Sequence, residues 1–247
     1  MRISLCTTCM DRLFHLEQTY LRNIESSSSF KDVEFVLLDY NSKDGLEDWV
    51  KSKLSKHIDS GRVVFVQTKE PKYWVAAHAK NIAHKVASGD ILVNLDCDVL
   101  IPEGFCEYID AAFSSGKRIV MSFESEDMYG NNGCAGIVAA TKEDFNSVNG
   151  YDESIHLGWG YDDMNYQFRV RMKNDLHLFT PPKLCLCIPH ENETRTKNCQ
   201  LKQIEVTRDL SMNICEDAAA TGNYVANVAS GWGRANIAKN FTDVFLI

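Results

Sequence analysis

At 247 residues the chain is long enough for one large domain, or for a domain with a small appendage. Hydrophobic residues make up 45% and charged residues 24%, a balance that can bury a substantial core. With 26 basic against 34 acidic residues, the net charge of −8 argues against a nucleic-acid binder and leaves room for an anionic ligand held by a metal or a few basic groups.

Residues 3–7 (ISLCT) read as a buried strand, after which Leu13, Leu16, Tyr20, Leu21 and Ile24 fall on one helical face. The serines at 26–29 break that pattern, and residues 33–39 (VEFVLLD) form an apolar run of strand length. A turn at 41–45 leads into an amphipathic segment through Leu54, and residues 63–66 give a third strand. A helix over 73–87 stops at Gly89-Asp90, and a fourth strand at 91–95 closes on Asp96. Residues 119–123, 135–140 and 184–188 read as further strands, with helices predicted over 162–172 and 199–216. The tail beyond Ala218, rich in Gly, Asn and Ala, carries no readable pattern.

The chain enters its first strand at once, with no basic segment leading into an apolar one, so no signal peptide is expected. No apolar run approaches the ~20 residues that span a bilayer. The cysteine count is odd, and neither Cys6/Cys9 nor Cys185/Cys187 has the second ligand pair that a zinc site needs. Buried thiols in a reducing cytoplasm are the expectation.

Strands buried on both faces and joined by helices form a parallel sheet, and such sheets bind ligands at the carboxyl ends of their strands. Three polar clusters sit at those ends: Thr7/Thr8, Asp39-Tyr40-Asn41 and Asp96-Cys97-Asp98. Asp96 and Asp98, at i and i+2, can project to one side. Their hard oxygens suit Mn²⁺ or Mg²⁺, which also bind phosphate, although solvated loops carry the same tripeptide. Gly158-Trp159-Gly160-Tyr161-Asp162-Asp163 opens a helix. Its acids suit the helix dipole, but two glycines around a tryptophan also suit a loop that sets an aromatic face under a sugar and a carboxylate beside an acceptor hydroxyl. His190 follows a late strand, where a lone histidine is more often structural but is also a good Mn²⁺ ligand.

These segments, over residues 2–198, resemble the GT-A-fold glycosyltransferases of family 2, and also the catalytic domains of β-1,4-galactosyltransferases and bacterial chondroitin-type polymerases. Cys6 to Arg12 is similar to the first-strand nucleotide motif, and Leu38 to Asp44 to the second-strand motif. His78-Ala79-Lys80-Asn81 with Ala87-Ser88-Gly89-Asp90 resembles the stretch that precedes the metal motif at Asp96-Cys97-Asp98. Asn149-Gly150-Tyr151 followed by Gly158 to Asp163 resembles the family's Asn-Gly-(Phe/Tyr)…Trp-Gly-Gly-Glu-Asp block.

The resemblance implies an α/β, single-domain, Rossmann-like GT-A fold with a mostly parallel central sheet flanked by helices. Residues 1–100 would form the nucleotide-binding half, 101–198 the acceptor and catalytic half, and 199–247 a C-terminal helical extension. Asp98 and His190 would ligate the metal, with Asp96 on metal or ribose. Asp163 would be the catalytic base and Asp162 its sugar-binding neighbour. Thr7, Thr8, Arg12 and Asp39 would contact the nucleotide, His78 and Lys80 its ribose or phosphates, and Trp159 and Tyr161 the sugars. Tyr161 stands where the family has a second glycine, which predicts a less permissive loop, and Asp162 replaces the usual Glu.

The implied enzyme is an inverting, Mn²⁺- or Mg²⁺-dependent hexosyltransferase. It would move sugar from UDP-galactose, UDP-N-acetylgalactosamine or UDP-glucose to a carbohydrate or glycolipid acceptor, with no nucleic-acid partner, in the cytoplasm or at the inner face of a membrane. Acceptor contacts are expected from the loop 124–133 and the tail. A non-catalytic sugar-nucleotide or glycan-binding module is the alternative. A nucleotidyltransferase is disfavoured because residues 6–12 lack a glycine.

Overall fold

The computed structural model describes residues 1–123, 134–181, 184–229, 231–242 and 244–247. The loop 124–133, where acceptor contacts are expected, therefore lies outside the described residues.

The first half alternates strand and helix: β1 (Ile3–Cys9), α1 (Leu13–Ser26), β2 (Val33–Tyr40), α2 (Leu46–Lys53), α3 (Ser55–Asp59), β3 (Val63–Thr68), α4 (Ala76–Val86) and β4 (Ile91–Asn94). A short β5 (Val99–Leu100), α5 (Phe105–Ser114), β6 (Ile119–Ser122), β7 (Val138–Thr141) and α6 (Lys142–Ser147) follow. The chain continues through α7 (Asp162–Asn174), β8 (His177–Phe179), β9 (Leu186–Cys187), α8 (Asn192–Thr196), α9 (Ile204–Thr221), β10 (Asn236–Lys239) and β11 (Phe245–Leu246).

One sheet runs β11-β10-β3-β2-β1-β4-β7-β6-β8, and β5 pairs with β9 apart from it. The strands β3, β2, β1 and β4 are mutually parallel, while β7 runs antiparallel to both β4 and β6. Every residue of β1 and β2 is buried, because successive side chains enter cores on opposite faces. Leu5, Phe35 and Leu37 pack with Leu16, Tyr20 and Phe105 on one face. Cys6, Val36 and Leu38 pack with Ile82, Phe145 and Tyr166 on the other. The expected α/β fold with a mostly parallel sheet flanked by helices is thus what the chain adopts.

Register sets the functional edge. Cys9 pairs with Asp39 and Cys6 with Asn94, so the ends of β1, β2 and β4 leave the sheet side by side. A buried glutamate ties their opposite ends together. Glu34 accepts from Ser4 Oγ (2.6 Å), the Ser88 amide (2.5 Å) and Arg2 (3.1 Å). Gly89 has to be glycine there, since a Cβ would lie 2.7 Å from the Ser4 amide nitrogen.

Some boundaries move for visible reasons. The helix expected from Tyr73 starts at Ala76, because the backbone is still extended at Val75 (φ −127°, ψ 98°), with the Trp74 amide donating to the Asn198 carbonyl at 2.8 Å. The helix expected from Cys199 starts at Ile204, because the backbone is still extended at Gln203 (φ −78°, ψ 102°), with the Leu201 amide donating to the Leu157 carbonyl, also at 2.8 Å. The region after residue 199 is more than a helical extension: β10 returns to the central sheet, antiparallel to β3, with Ala238 opposite Gln67. Among the described residues no helix is long and apolar enough to cross a membrane.

Candidate active site

Asp96 and Asp98 follow the end of β4 and lie against α1. From α1, Thr19 Oγ1 donates to the Cys97 carbonyl (2.7 Å), and Asn23 donates to the Val99 carbonyl (2.8 Å) and accepts from the Ile101 amide (3.0 Å). The loop that carries Asp98 is therefore pinned on both sides of that residue. Asp98 is buried, and its Oδ2 lies 2.6 Å from His190 Nε2 and 3.3 Å from the Arg12 guanidinium. Burial alone would raise the Asp98 carboxyl, but the His190 hydrogen bond and the Arg12 charge outweigh it and hold it below the ordinary carboxylate value.

Asp96 points elsewhere. Its Oδ1 accepts from Asn94 at 3.0 Å, and its Oδ2 occupies space that a Cβ on Gly136 would fill, at 2.1 Å. Burial pushes its carboxyl up against the pull of Lys80. Only Asp98 and His190 are in contact, an oxygen and an imidazole donor. Small divalent cations that bind through substrate phosphates need only one or two protein groups. The pair fits such a cation, and among the described residues no group of three or more His, Cys, Asp or Glu could hold one unaided.

A second acidic pair opens α7. Asp162 is buried, while the Asp163 side chain keeps 22% of its surface. Lys80, reaching from α4, donates to Asp162 Oδ2 at 2.6 Å and to Asp163 Oδ1. Burial, then the Asp162 charge, push the Asp163 carboxyl well above its ordinary value, with Lys80 opposing them. The Lys80 ammonium is also raised: burial would lower it, but Asp162, Asp163 and Asp96 outweigh that. The crowded carboxylates thus raise both groups, adding to burial at Asp163 and overcoming it at Lys80.

The Trp159 loop is held from outside. Thr207 Oγ1 on α9 donates to the Trp159 carbonyl (3.0 Å), and the Arg195 guanidinium lies over the indole at 5.1 Å, so one face of the ring is already covered. A Cβ on Gly158 would lie 2.1 Å from Thr207 Cγ2. Tyr161 differs from expectation: it takes the left-handed conformation at φ 66° despite its side chain and caps α7, its carbonyl accepting from the Asn165 amide. Behind this loop Asn81 brackets Tyr151, accepting from its amide (2.7 Å) and donating to its carbonyl (2.9 Å). Buried Arg169 donates to the Gly150 carbonyl at 2.7 Å.

The remaining predicted residues divide. Arg12 reaches Asp98, and Thr7 and Thr8 sit at the end of β1, where Thr7 Oγ1 is buried with no partner among the described residues. Asp39 is buried beside them, its oxygens accepting from the Ser42 amide and Gln67, both at 2.8 Å. Lys80 is ion-paired with Asp162 and Asp163, while His78 lies 2.7 Å from Tyr40 Oη and 3.1 Å from the Arg234 carbonyl and lines a cleft of about 310 Å³ with Tyr40, Lys72 and Tyr73. A cleft of about 650 Å³ opens beside His190, walled by Arg12, Phe14, His15, Glu193 and Lys197. Cys6, Cys9 and Cys97 are buried thiols, as expected.

Thr19, Asn23, Arg195 and Thr207 belong to no motif in the sequence. Thr19 and Asn23 did leave a trace, as polar residues four apart on the face of α1 that also carries Leu16, Tyr20 and Ile24.

Comparison with known proteins bears on the family and the fold. The family model described as glycosyl transferase family 2 matches residues 4–132, and that described as the N-terminal domain of galactosyltransferase matches residues 119–196. No curated protein sequence gives a match. Among solved structures, the mannosyltransferase PcManGT from Pyrobaculum calidifontis, in complex with GDP-Man and Mn²⁺, superposes with a TM-score of 0.62 at 21% identity, covering 76% of this chain and 56% of that one. TarS from S. aureus in complex with UDP-GlcNAc gives 0.62 at 13% identity, covering 77% and 59%. A mutant of Drosophila β1,4-galactosyltransferase 7, in complex with manganese, UDP-Gal and xylobiose, gives 0.56 at 15% identity, covering 84% and 80%. The chain thus spans less than two thirds of the first two of these proteins. With more than half its length matched by one family model, the chain belongs to glycosyl transferase family 2.

Proposed function

We propose that this glycosyltransferase moves a hexose from a UDP-sugar, namely UDP-galactose, UDP-N-acetylgalactosamine or UDP-glucose, to a carbohydrate hydroxyl with inversion at the anomeric carbon. The observation that carries the reading is the placing of two acidic groups at one sheet edge: Asp98 joined to His190, and Asp163 partly open beside buried Asp162. Asp96 lies between them, close enough to feel both the Asp98 charge and the Lys80 ammonium.

Asp98 and His190 would hold Mn²⁺ or Mg²⁺, which when bound supplies positive charge to the departing diphosphate. The guanidinium of Arg12 adds a fixed positive charge beside Asp98. Asp163 takes the proton of the acceptor hydroxyl as that oxygen bonds to the anomeric carbon. The bond from that carbon to the β-phosphate oxygen breaks in the same step, and UDP leaves with its electron pair. Asp162 and the open face of Trp159 would orient the sugars. The neighbours crystallised with UDP-GlcNAc, or with manganese and UDP-Gal, support the donor class, and the GDP-Man complex names its competitor.

The test is UDP or GDP release from these donors and GDP-mannose, with Mn²⁺ or with EDTA, alongside two variants. Asp163→Asn should keep Mn²⁺-dependent UDP binding and lose transfer, whereas Asp98→Ala should lose that binding. Full transfer by Asp163→Asn would refute the base assignment.

A further inference from the structure

Lys80 stands out among the predicted phosphate contacts because the fold has taken its charge elsewhere. It is 4% exposed, in the middle of α4, on a backbone that is itself fixed: the Lys80 carbonyl meets His84 Nδ1 at 2.7 Å, and the next residue, Asn81, brackets Tyr151. Its ammonium lies over the Tyr151 ring at 5.2 Å and is hydrogen-bonded to both Asp162 and Asp163. Asp162, with a side chain 6% exposed, is the anchor of this trio, and Asp163, at 22%, is the member that meets solvent.

We propose that Lys80 is a positioning residue for sugar transfer: gripped by Asp162, its ammonium holds one oxygen of Asp163, keeps that carboxylate ionised and leaves the other oxygen to receive the acceptor proton. The inference rests on Asp163 being the base. The charged and titratable groups facing Asp163 are Asp162 on its own helix, Lys80 from α4, Asp96 from the loop after β4, and the Tyr151 phenol, which burial keeps protonated. Lys80 supplies the positive charge in this set. Without it three carboxylates, one buried and two half-buried, would face one another, and the cluster would take up a proton more readily. A lysine serving the diphosphate instead would need to release both aspartates and cross a desolvated interior.

The experiment uses the full chain carrying Lys80→Met or Lys80→Arg, with Asp163→Asn to assign the Asp163 signal in spectra of ¹³C-aspartate-labelled protein. In Lys80→Met the Asp163 carboxyl should titrate higher by about one pH unit or more, and the acid limb of kcat/KM should move with it. Binding of UDP with Mn²⁺, read by calorimetry, should stay within about threefold of the parent, and Lys80→Arg should restore part of the titration. A loss of UDP affinity of about tenfold or more, with the Asp163 midpoint unmoved, would overturn the proposal and return Lys80 to the phosphates. If Lys80→Met does not fold, Lys80→Gln is read by the same two measurements. Should Asp163→Asn transfer sugar normally, the base reading fails by itself, while the carboxyl titration still reports whether Lys80 governs Asp163.

Discussion

His190 Nε2 lies 2.6 Å from Asp98 Oδ2, joining residues 92 positions apart and tying the late segment after β9 to the end of β4. Replacing His190 by Ala removes one of the two donors and leaves Asp98 with Arg12. UDP binding in the presence of Mn²⁺ should weaken about tenfold or more, with little change in EDTA. Calorimetric titration of UDP under both conditions checks this. Equal affinities for parent and variant with Mn²⁺ would remove His190 from the site.

Asn23 governs the same loop from the helix side. In Asn23→Ala the Val99 carbonyl and Ile101 amide lose their side-chain partner in a buried setting, which should lower stability by about 1–3 kcal/mol. Because those groups flank Asp98, Mn²⁺-dependent UDP affinity should fall in parallel. Urea unfolding and UDP titration on one preparation measure both, and an affinity loss without a stability loss would contradict the clamp.

Gly158 marks the approach of α9 to the tryptophan loop. Gly158→Ala drives a methyl into Thr207 and should cost about 1–3 kcal/mol. Adding Thr207→Ser removes the nearest carbon but keeps the hydroxyl that donates to Trp159. The double variant should recover part of the loss in thermal melting. No recovery would place the strain at the contacts that remain, the residue 207 Cβ at 2.7 Å and the Leu201 carbonyl at 3.1 Å from the added carbon.

His84 predicts an acid limit. It is buried between Phe145 and Tyr151, and burial lowers its imidazole from the ordinary 6.5 to about 3. The unfolded chain therefore binds a proton below pH 6.5 that the folded chain refuses. Stability from this group is complete above 6.5 and falls toward pH 3, by up to about 1.4 kcal/mol per pH unit. Unfolding free energies between pH 7.5 and 5 should show this slope, and His84→Gln should flatten it.

Much of this architecture is visible in the sequence where burial is two-sided. The strands β1, β2 and β4 leave continuous apolar runs, and each ends on the polar residues that matter. Asp98, His190 and Asp163 stand out as candidates because each follows a strand or opens a helix, where a motif has a fixed context. What stayed hidden depends on partners distant in the chain. The acidic partners of Lys80 come into view only once α4 is set against α7, and the left-handed turn at Tyr161 only once its backbone is traced. The tail had no legible pattern because β10 is a four-residue strand whose place comes from pairing with β3.

That pairing has a consequence for how the molecule is made. Ala238 lies opposite Gln67, so the outer edge of β3 is covered only by residues emerging some 170 positions later. During synthesis the parallel core can assemble while β3 still offers a bare row of amide and carbonyl groups, a template for any neighbouring strand. Arrival of residues 236–239 pairs that rim and removes the template it offers. The last strands therefore act as a built-in guard against aggregation, and a chain cut before them should form inclusion bodies even with every catalytic side chain present.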